Sequence, residues 1–455
     1  MEVCRVTFDR GTLVACSASL AMQRAPSFVL DPRTAQYRAP AHAYFGLLAW
    51  ARTTGTTIDA AEIVARHKPL PASFTGPELR PYQEQAVRAW NSFDRRGVVV
   101  LPTGAGKTRV ALSAIAACNV STVILCPTRA LVSQWRLALQ ACYPGPIGVV
   151  SDGERTVEAV TVMTFESGFR HLDQFGSEFG LVVVDEAHHF GGGTRCEALE
   201  CCLAPARLGL TATQPQEASQ AKRLEGLVGP VVFEMAVASL VGTHLAPLDH
   251  VHLPVMLTPT ERDQYAADYT PFLEALRAHR RAYPAGPWHE FVRLLSASPN
   301  GREILAGYRR AEDLALFPSG KARMVSEILD RHARDRALAF VARTKDALAL
   351  SIQDLIPLIT ADTKSKEREW LLGSLRDGHL RALVSARVLN EGIDLPDADV
   401  AILVSGKLGR REMVQRTGRV LRPRENKRAT VYTLVSHGTI DERRFDRSWE
   451  SVANT

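Results

Sequence analysis

An unbroken apolar run, Val98-Val99-Val100-Leu101, turns at Pro102-Thr103-Gly104-Ala105-Gly106 and continues from Lys107 with helical spacing, KTRVALSAIAA. A strand without polar alternation is covered on both faces, the condition of a strand inside a parallel sheet. The turn carries two glycines, so its main chain can curl with N–H groups pointing inward. The helix that follows adds the positive end of its dipole at the same place. A turn of this build cradles phosphate oxygens. Lys107 is placed to reach the outer phosphates of a nucleotide, and the Thr108 hydroxyl to bind Mg²⁺.

Four more apolar runs follow: TVILCPT at 122–128, VTVMTF at 160–165, LVVVDEAH at 181–188 and RLGLTAT at 207–213. Helical segments separate them, which predicts a doubly wound α/β domain. LVVVDEAH sets Asp185 and Glu186 at the carboxyl end of a buried strand, where open α/β sheets bind their ligands. Asp185 is positioned to hold Mg²⁺ through water, and Glu186 to orient and deprotonate an attacking water. Two adjacent acids can simply cap a turn. Their position about eighty residues after a phosphate loop selects the catalytic reading.

A chain of 455 residues has room for roughly three domains. Residues 1–75 hold short apolar runs (Val3 to Phe8, Thr12 to Cys16, Phe28 to Leu30) and a helix expected over Ala41 to Arg52, and read as a small N-terminal domain. The Pro/Gly-rich stretch Pro69 to Pro77 reads as a linker. Residues 76–240 form the first α/β domain. Residues 241–320 read as a helical insertion, with helices over Pro259 to Arg281, Trp288 to Leu295 and Arg302 to Leu316. Residues 321–455 return to strand–helix alternation through ALAFVA at 337–342, RALVSA at 381–386, VAILVSG at 400–406 and ATVYTLVS at 429–436.

Charge points to a partner. The net charge is +6, yet between Lys407 and Arg428 nine basic residues face only Glu412 and Glu425. Taken alone, such a run is usually a solvated face. The eight cysteines form no CxxC pair, which speaks against zinc and for a reducing compartment. The start, MEVCRVTFDRG, lacks the pattern of a signal peptide, and no apolar stretch of about 20 residues is present. A cytoplasmic protein without membrane association is expected.

The order of segments resembles the superfamily 2 helicases. ELRPYQEQAV (78–87) looks like the adenine-reading segment, LPTGAGKT (101–108) motif I, PTRALVSQW (127–135) motif Ia, DEAH (185–188) motif II and TAT (211–213) motif III. LVSARVLNEGIDLPDADVAI (383–402) looks like motif V and QRTGRVLRP (415–423) like motif VI. Leu101 stands where the strict phosphate-loop pattern has glycine, and the shorter T-G-x-G-K-T form is one these helicases use. More narrowly, the chain resembles the XPB-type DNA repair helicases, through the RPYQ entry, the helical insertion and DPRTAQYRAPA (31–41) in the N-terminal domain. One departure concerns the family's Arg-Glu-Asp triplet, linked to strand separation. Here Gln216 and Ala218 flank Glu217.

The resemblance implies an α/β fold of two tandem RecA-like parallel-sheet motor domains, with a small N-terminal domain suited to DNA or damage sensing and a thumb-like helical insertion. It implies ATP-dependent DNA unwinding or duplex translocation, 3′ to 5′, in DNA repair, with ATP and Mg²⁺ as cofactors. ATP would contact Arg80, Gln83, Thr103, Gly104, Ala105, Gly106, Lys107 and Thr108, with Gly392 and Asp394 from motif V. Gln415 would lie near the catalytic water, and Arg419 and Arg422 match the arginine-finger positions, worth roughly a thousandfold or more in rate. Single-stranded and duplex DNA would be held through phosphates by Thr128, Arg129 and Thr164, and by Ser385 and Arg387. His188, Thr211 and Thr213 would couple the two sites. Thr128 and Thr164 also sit where turn-forming threonines are common, and Trp135 reads as core packing. A nuclease partner protein is implied by the pairing seen among relatives. Two other readings share the motifs: a DEAH-type RNA helicase, which usually carries long domains beyond the point where this chain ends, and an ATP-switched DNA-binding scaffold that recruits a nuclease.

Overall fold

The computed structural model describes residues 3–16, 20–64, 66–151, 153–191, 196–215, 217–235, 248–284, 286–386, 398–404 and 429–453. The described residues up to 235 form one compact unit and those from 248 a second.

The first unit opens with a five-stranded sheet of β1 (Val3–Asp9), β2 (Thr12–Cys16), β3 (Val29–Asp31), β4 (Gln36–Pro40) and β5 (Thr57–Asp59), ordered β3-β4-β2-β1-β5. Helices α1 (Tyr44–Thr54) and α2 (Ala61–Val64) cover it. Val6, Leu13, Met22, Tyr37, Tyr44 and Leu47 fill its core, and Leu203 from the neighbouring domain joins them. Arg66 donates to the Ser177 hydroxyl at 2.8 Å, and the Arg96 guanidinium lies over the Phe45 ring at 4.8 Å. The small domain is therefore fastened to the α/β domain that follows it.

That domain holds β6 (Arg96–Val100), β7 (Thr122–Cys126), β8 (Ile147–Ser151), β9 (Glu154–Thr156), β10 (Val160–Thr164), β11 (Leu181–Asp185), β12 (Ala206–Thr211) and β13 (Val231–Glu234). Its helices are α3 (Pro81–Ser92), α4 (Lys107–Cys118), α5 (Arg129–Gln140), α6 (Phe165–Phe175), α7 (Glu197–Glu200) and α8 (Ala218–Leu227). The strand order is β13-β6-β12-β11-β7-β10-β8-β9, parallel except for β9. The five expected strands are all present. β8, β9 and β13 are additional and lie towards the two edges. Residues of β7, β10, β11 and β12 are buried throughout, as strands covered on both faces require.

The second unit is a six-stranded parallel sheet of β14 (Leu248–Val255), β15 (Ala337–Val341), β16 (Leu358–Ile359), β17 (Ala382–Ala386), β18 (Val400–Leu403) and β19 (Ala429–Ser436), ordered β14-β19-β18-β15-β17-β16. Strand β14 corrects the sequence reading, which assigned its residues to the helical insertion. It pairs along its whole length with β19, from Leu248 opposite Ala429 to Val255 opposite Ser436. Its polar residues (LDHVHLPV) and its edge position hid it. The helices α9 (Pro259–Ala282), α10 (Trp288–Ser296) and α11 (Pro299–Leu316) form the helical lobe, and α12 (Ser319–Arg331), α13 (Thr344–Asp354), α14 (Ser365–Arg376) and α15 (Ile440–Ala453) pack on the sheet.

The lobe is tied to the sheet by buried polar contacts. Tyr265, Tyr269, Phe272 and Phe291 form its core together with Ile440 of α15. Lys321 and Asp441 are both fully buried and paired at 2.6 Å. Asp441 also accepts the Ser436 amide at 3.1 Å, while the Ser436 hydroxyl donates to the Ala315 carbonyl and the Ile440 amide to the Tyr265 hydroxyl. Removing one member of such a pair leaves a buried charge uncompensated. Asp441→Ala should cost about 3–5 kcal/mol, read as a lower urea midpoint. Lys321→Met combined with Asp441→Leu should recover much of that loss, and a double variant as unstable as the single one would refute the assignment.

Candidate functional site

The phosphate loop is held from below by α3. Gly104 and Gly106 have φ of 85° and 80°, the left-handed region that glycine enters without strain. The Ala105 carbonyl accepts from the Tyr82 hydroxyl and from the Gln83 side-chain amide, both at 2.8 Å. The Gln83 side-chain oxygen accepts the Arg80 amide at 2.9 Å. Gln83, expected at the adenine, thus braces the loop in this structure. A Cβ on Gly106 would meet the Gln83 side-chain nitrogen and would strain the left-handed backbone there, so glycine is favoured.

A cavity of about 320 Å³ opens beside the loop, lined by Glu78, Leu79, Arg80, Gln83, Gly104, Gly106 and Arg109. That volume is in the range of small-ligand sites. Lys107 donates to the Leu101 carbonyl at 3.2 Å. Thr108 is half-buried in the first turn of α4. The Thr103 hydroxyl is buried and has no hydrogen-bond partner among the described residues. A polar group left over inside a glycine cradle fits an anionic ligand.

The register of β6, β12 and β11 sets the acids beside this loop. Val100 pairs with Thr211, and Leu210 with Asp185. Asp185 is 7% exposed. Burial pushes its carboxyl above the usual range, while the Lys107 charge and the Trp135 hydrogen bond pull the other way. One carboxylate oxygen accepts the Glu186 amide and the other the Trp135 indole N–H, each at 3.0 Å. Glu186 has φ of 51°, a strained turn of the kind found at functional sites. Mg²⁺ needs only one or two protein oxygens besides phosphate, which Asp185 and Thr108 can supply.

The three residues expected to couple the sites meet at one knot. His188 Nδ1 lies 3.0 Å from the Thr211 hydroxyl and 3.6 Å from the Glu186 carboxylate. The Thr211 hydroxyl donates to the Thr213 carbonyl at 2.8 Å.

Thr128, Arg129 and Thr164 line one open groove of about 660 Å³ on the same domain. The two threonines cap helices: Thr128 accepts the Leu131 amide and Thr164 the Ser167 amide. The groove therefore faces two helix N-termini, a favourable setting for phosphate. Arg155, Arg170 and His171 also line it. No motif marks these three, because they sit on an edge hairpin and mid-helix. In the second unit, Ser385 is buried at the end of β17, its hydroxyl without a partner among the described residues. Arg387, Gly392, Asp394, Gln415, Arg419, Arg422 and Gln216 lie outside the described residues. Among the described residues no helix is long and apolar enough to cross a membrane.

Residues 76–216 match the family model of the type III restriction enzyme res subunit, residues 320–424 the helicase conserved C-terminal domain, and residues 6–60 the xeroderma pigmentosum group B helicase damage recognition domain. The chain is 33% identical over 387 residues to the DNA 3′-5′ translocase XPB2 of Sulfurisphaera tokodaii, covering 85% of this chain and 88% of that one. It is 32% identical over 382 residues to the DNA 3′-5′ helicase XPB of Kineococcus radiotolerans (81% of this chain, 61% of the relative). It is 30% identical over 387 residues to that of Mycobacterium tuberculosis (82% and 63%). The crystal structure of the Pyrococcus furiosus Hef helicase domain is similar in fold, with a TM-score of 0.54 at 18% identity, covering 82% of this chain and 98% of that one.

The groove makes a prediction of its own. Arg129→Ala with Arg170→Ala should weaken binding of a single-stranded oligonucleotide and reduce the log–log salt slope by about 1 per arginine. A slope identical to the wild type would place the phosphates elsewhere.

Proposed function

Because the chain belongs to the XPB-type superfamily 2 helicases, we propose that it is an ATP-dependent DNA helicase or duplex translocase, moving 3′ to 5′ and serving DNA repair in the cytoplasm. The observation that supports this most is the meeting of phosphate loop, acidic pair and coupling knot at the carboxyl ends of three adjacent strands. A strand-sized groove opens on the same domain.

In this reading the chain comprises a small N-terminal domain (1–75), RecA-like motor domains (76–240 and 321–455) and a thumb formed by the helices of the 241–320 span. The loop amides and Lys107 hold the phosphates of ATP. Thr108 and Asp185 would hold Mg²⁺, whose chemistry there would be to offset the charge of the phosphates. Glu186 takes the proton of the attacking water. Gln415, Arg419 and Arg422 orient that water and stabilise charge in the transition state. Thr128, Arg129, Thr164, Ser385 and Arg387 grip the phosphates of DNA, which carry no sequence information, as suits a motor that moves along any sequence. A nuclease partner belongs to the same proposal, since Gln216 and Ala218 replace charged residues linked to strand separation. Failure of any nuclease to co-purify from the native source would remove that part.

The test is ATP hydrolysis by the purified chain, alone and with single-stranded DNA, duplex DNA or RNA. DNA should stimulate turnover. Lys107→Ala should lower it by at least about a hundredfold, and Glu186→Gln should bind ATP while barely hydrolysing it. Stimulation by RNA alone, or normal turnover in Lys107→Ala, would overturn the reading.

A further inference from the structure

Sequence assigns Trp135 to the core, and it is 2% exposed. Burial alone does not account for its polar atom. A buried indole N–H needs an acceptor, and in Trp90, the other large buried indole of this domain, the acceptor is the Arg207 main-chain carbonyl at 2.9 Å. The Trp135 N–H instead donates, at 3.0 Å, to the carboxylate of Asp185, the proposed metal ligand. The second oxygen of that carboxylate is fixed by the Glu186 amide. Two donors from different elements therefore set the plane and tilt of a buried carboxylate, as partners behind a metal ligand do.

Trp135 lies on α5, whose own start is the groove. Pro127, Thr128 and Arg129 line the groove, and Thr128 caps the helix. Trp135 follows seven residues on, roughly two turns or 10 Å along the same rigid element. A shift of α5 on seating a phosphate at Thr128 and Arg129 must carry the indole with it, and the indole holds Asp185.

We propose that Trp135 is a positioning residue that aims the Asp185 carboxylate at Mg²⁺, and that through α5 it makes metal binding responsive to nucleic acid in the groove. This rests on the ATPase reading above. The route is separate from the His188–Thr211–Thr213 knot, which approaches the acids from β12.

The test uses the full chain with ADP, a single-stranded DNA oligonucleotide and Mn²⁺ in place of Mg²⁺, with free Mn²⁺ read by electron paramagnetic resonance. In the wild type, DNA should tighten Mn²⁺ binding by about fivefold or more. Trp135→Phe keeps the aromatic bulk and deletes the donor. It should bind Mn²⁺ about tenfold more weakly and lose the response to DNA. Its turnover should return towards the wild-type rate at high Mg²⁺, which a packing defect would not do. A variant that matches the wild type in Mn²⁺ affinity, or still responds to DNA, overturns the inference. So does a wild type whose Mn²⁺ affinity ignores DNA, an outcome that does not depend on the variant folding. If turnover is DNA-stimulated in such a case, only this inference fails. A wild type that neither binds Mn²⁺ with ADP nor hydrolyses ATP overturns the ATPase reading as well.

Discussion

The adjacency of β6, β12 and β11 in a parallel ladder is the constraint on which the candidate site depends. These strands are covered on both faces, so their side chains are largely buried and mostly apolar. Polar chemistry is pushed to the carboxyl ends, where the chain leaves the sheet. Because the strands run parallel and in register, three such exits lie side by side: the phosphate loop after Val100, the acids at Asp185 and Glu186, and the turn at Thr211. Strand pairing alone brings the three exits together, before Gln83 and Trp135 fix individual groups within them. Sheet hydrogen bonds set this adjacency, and the glycines make room at the loop.

That origin explains what could be read from sequence. Uninterrupted apolar runs announced β6, β7, β10, β11 and β12, and glycines after the first announced the loop. Strands β9, β13 and β14 at sheet edges, and β8 next to one, carry glycine, charge or half-exposed faces and lack that signature. In the site, Lys107, Thr108, Asp185 and Glu186 were legible because their chemistry is tied to fixed local spacing. The position of Gln83 beneath the loop was not, since an amide that reads a base and one that braces a loop look alike in sequence. Nor was Trp135, fifty positions from its carboxylate, or the Lys321–Asp441 pair, separated by 120. Contacts between elements leave no trace in local pattern.

The buried charges of the first α/β domain show how structural and functional burial differ. Arg207 is fully buried, and its guanidinium donates to the carbonyls of Ala204, Leu199, Leu227 and Cys202. Five donors in a fixed fork make it a staple that gathers the ends of α7 and α8 onto the start of β12. Burial lowers its pKa, and each of its three nitrogens donates to main-chain carbonyls, a structural use of the charge.

Asp185 is also buried but left in a different balance. Its two donors are neutral, and the Lys107 charge only partly offsets the desolvation that raises its pKa. A carboxylate in that state gains from any cation brought to it. Lys107, meanwhile, rests on the Leu101 carbonyl, an acceptor that phosphate outcompetes through charge. Each member of the pair is thus held by a weaker partner than the one it is suited to bind. Strand register brings these two incompletely satisfied charges together, and the proposed metal–phosphate ligand would satisfy both at once.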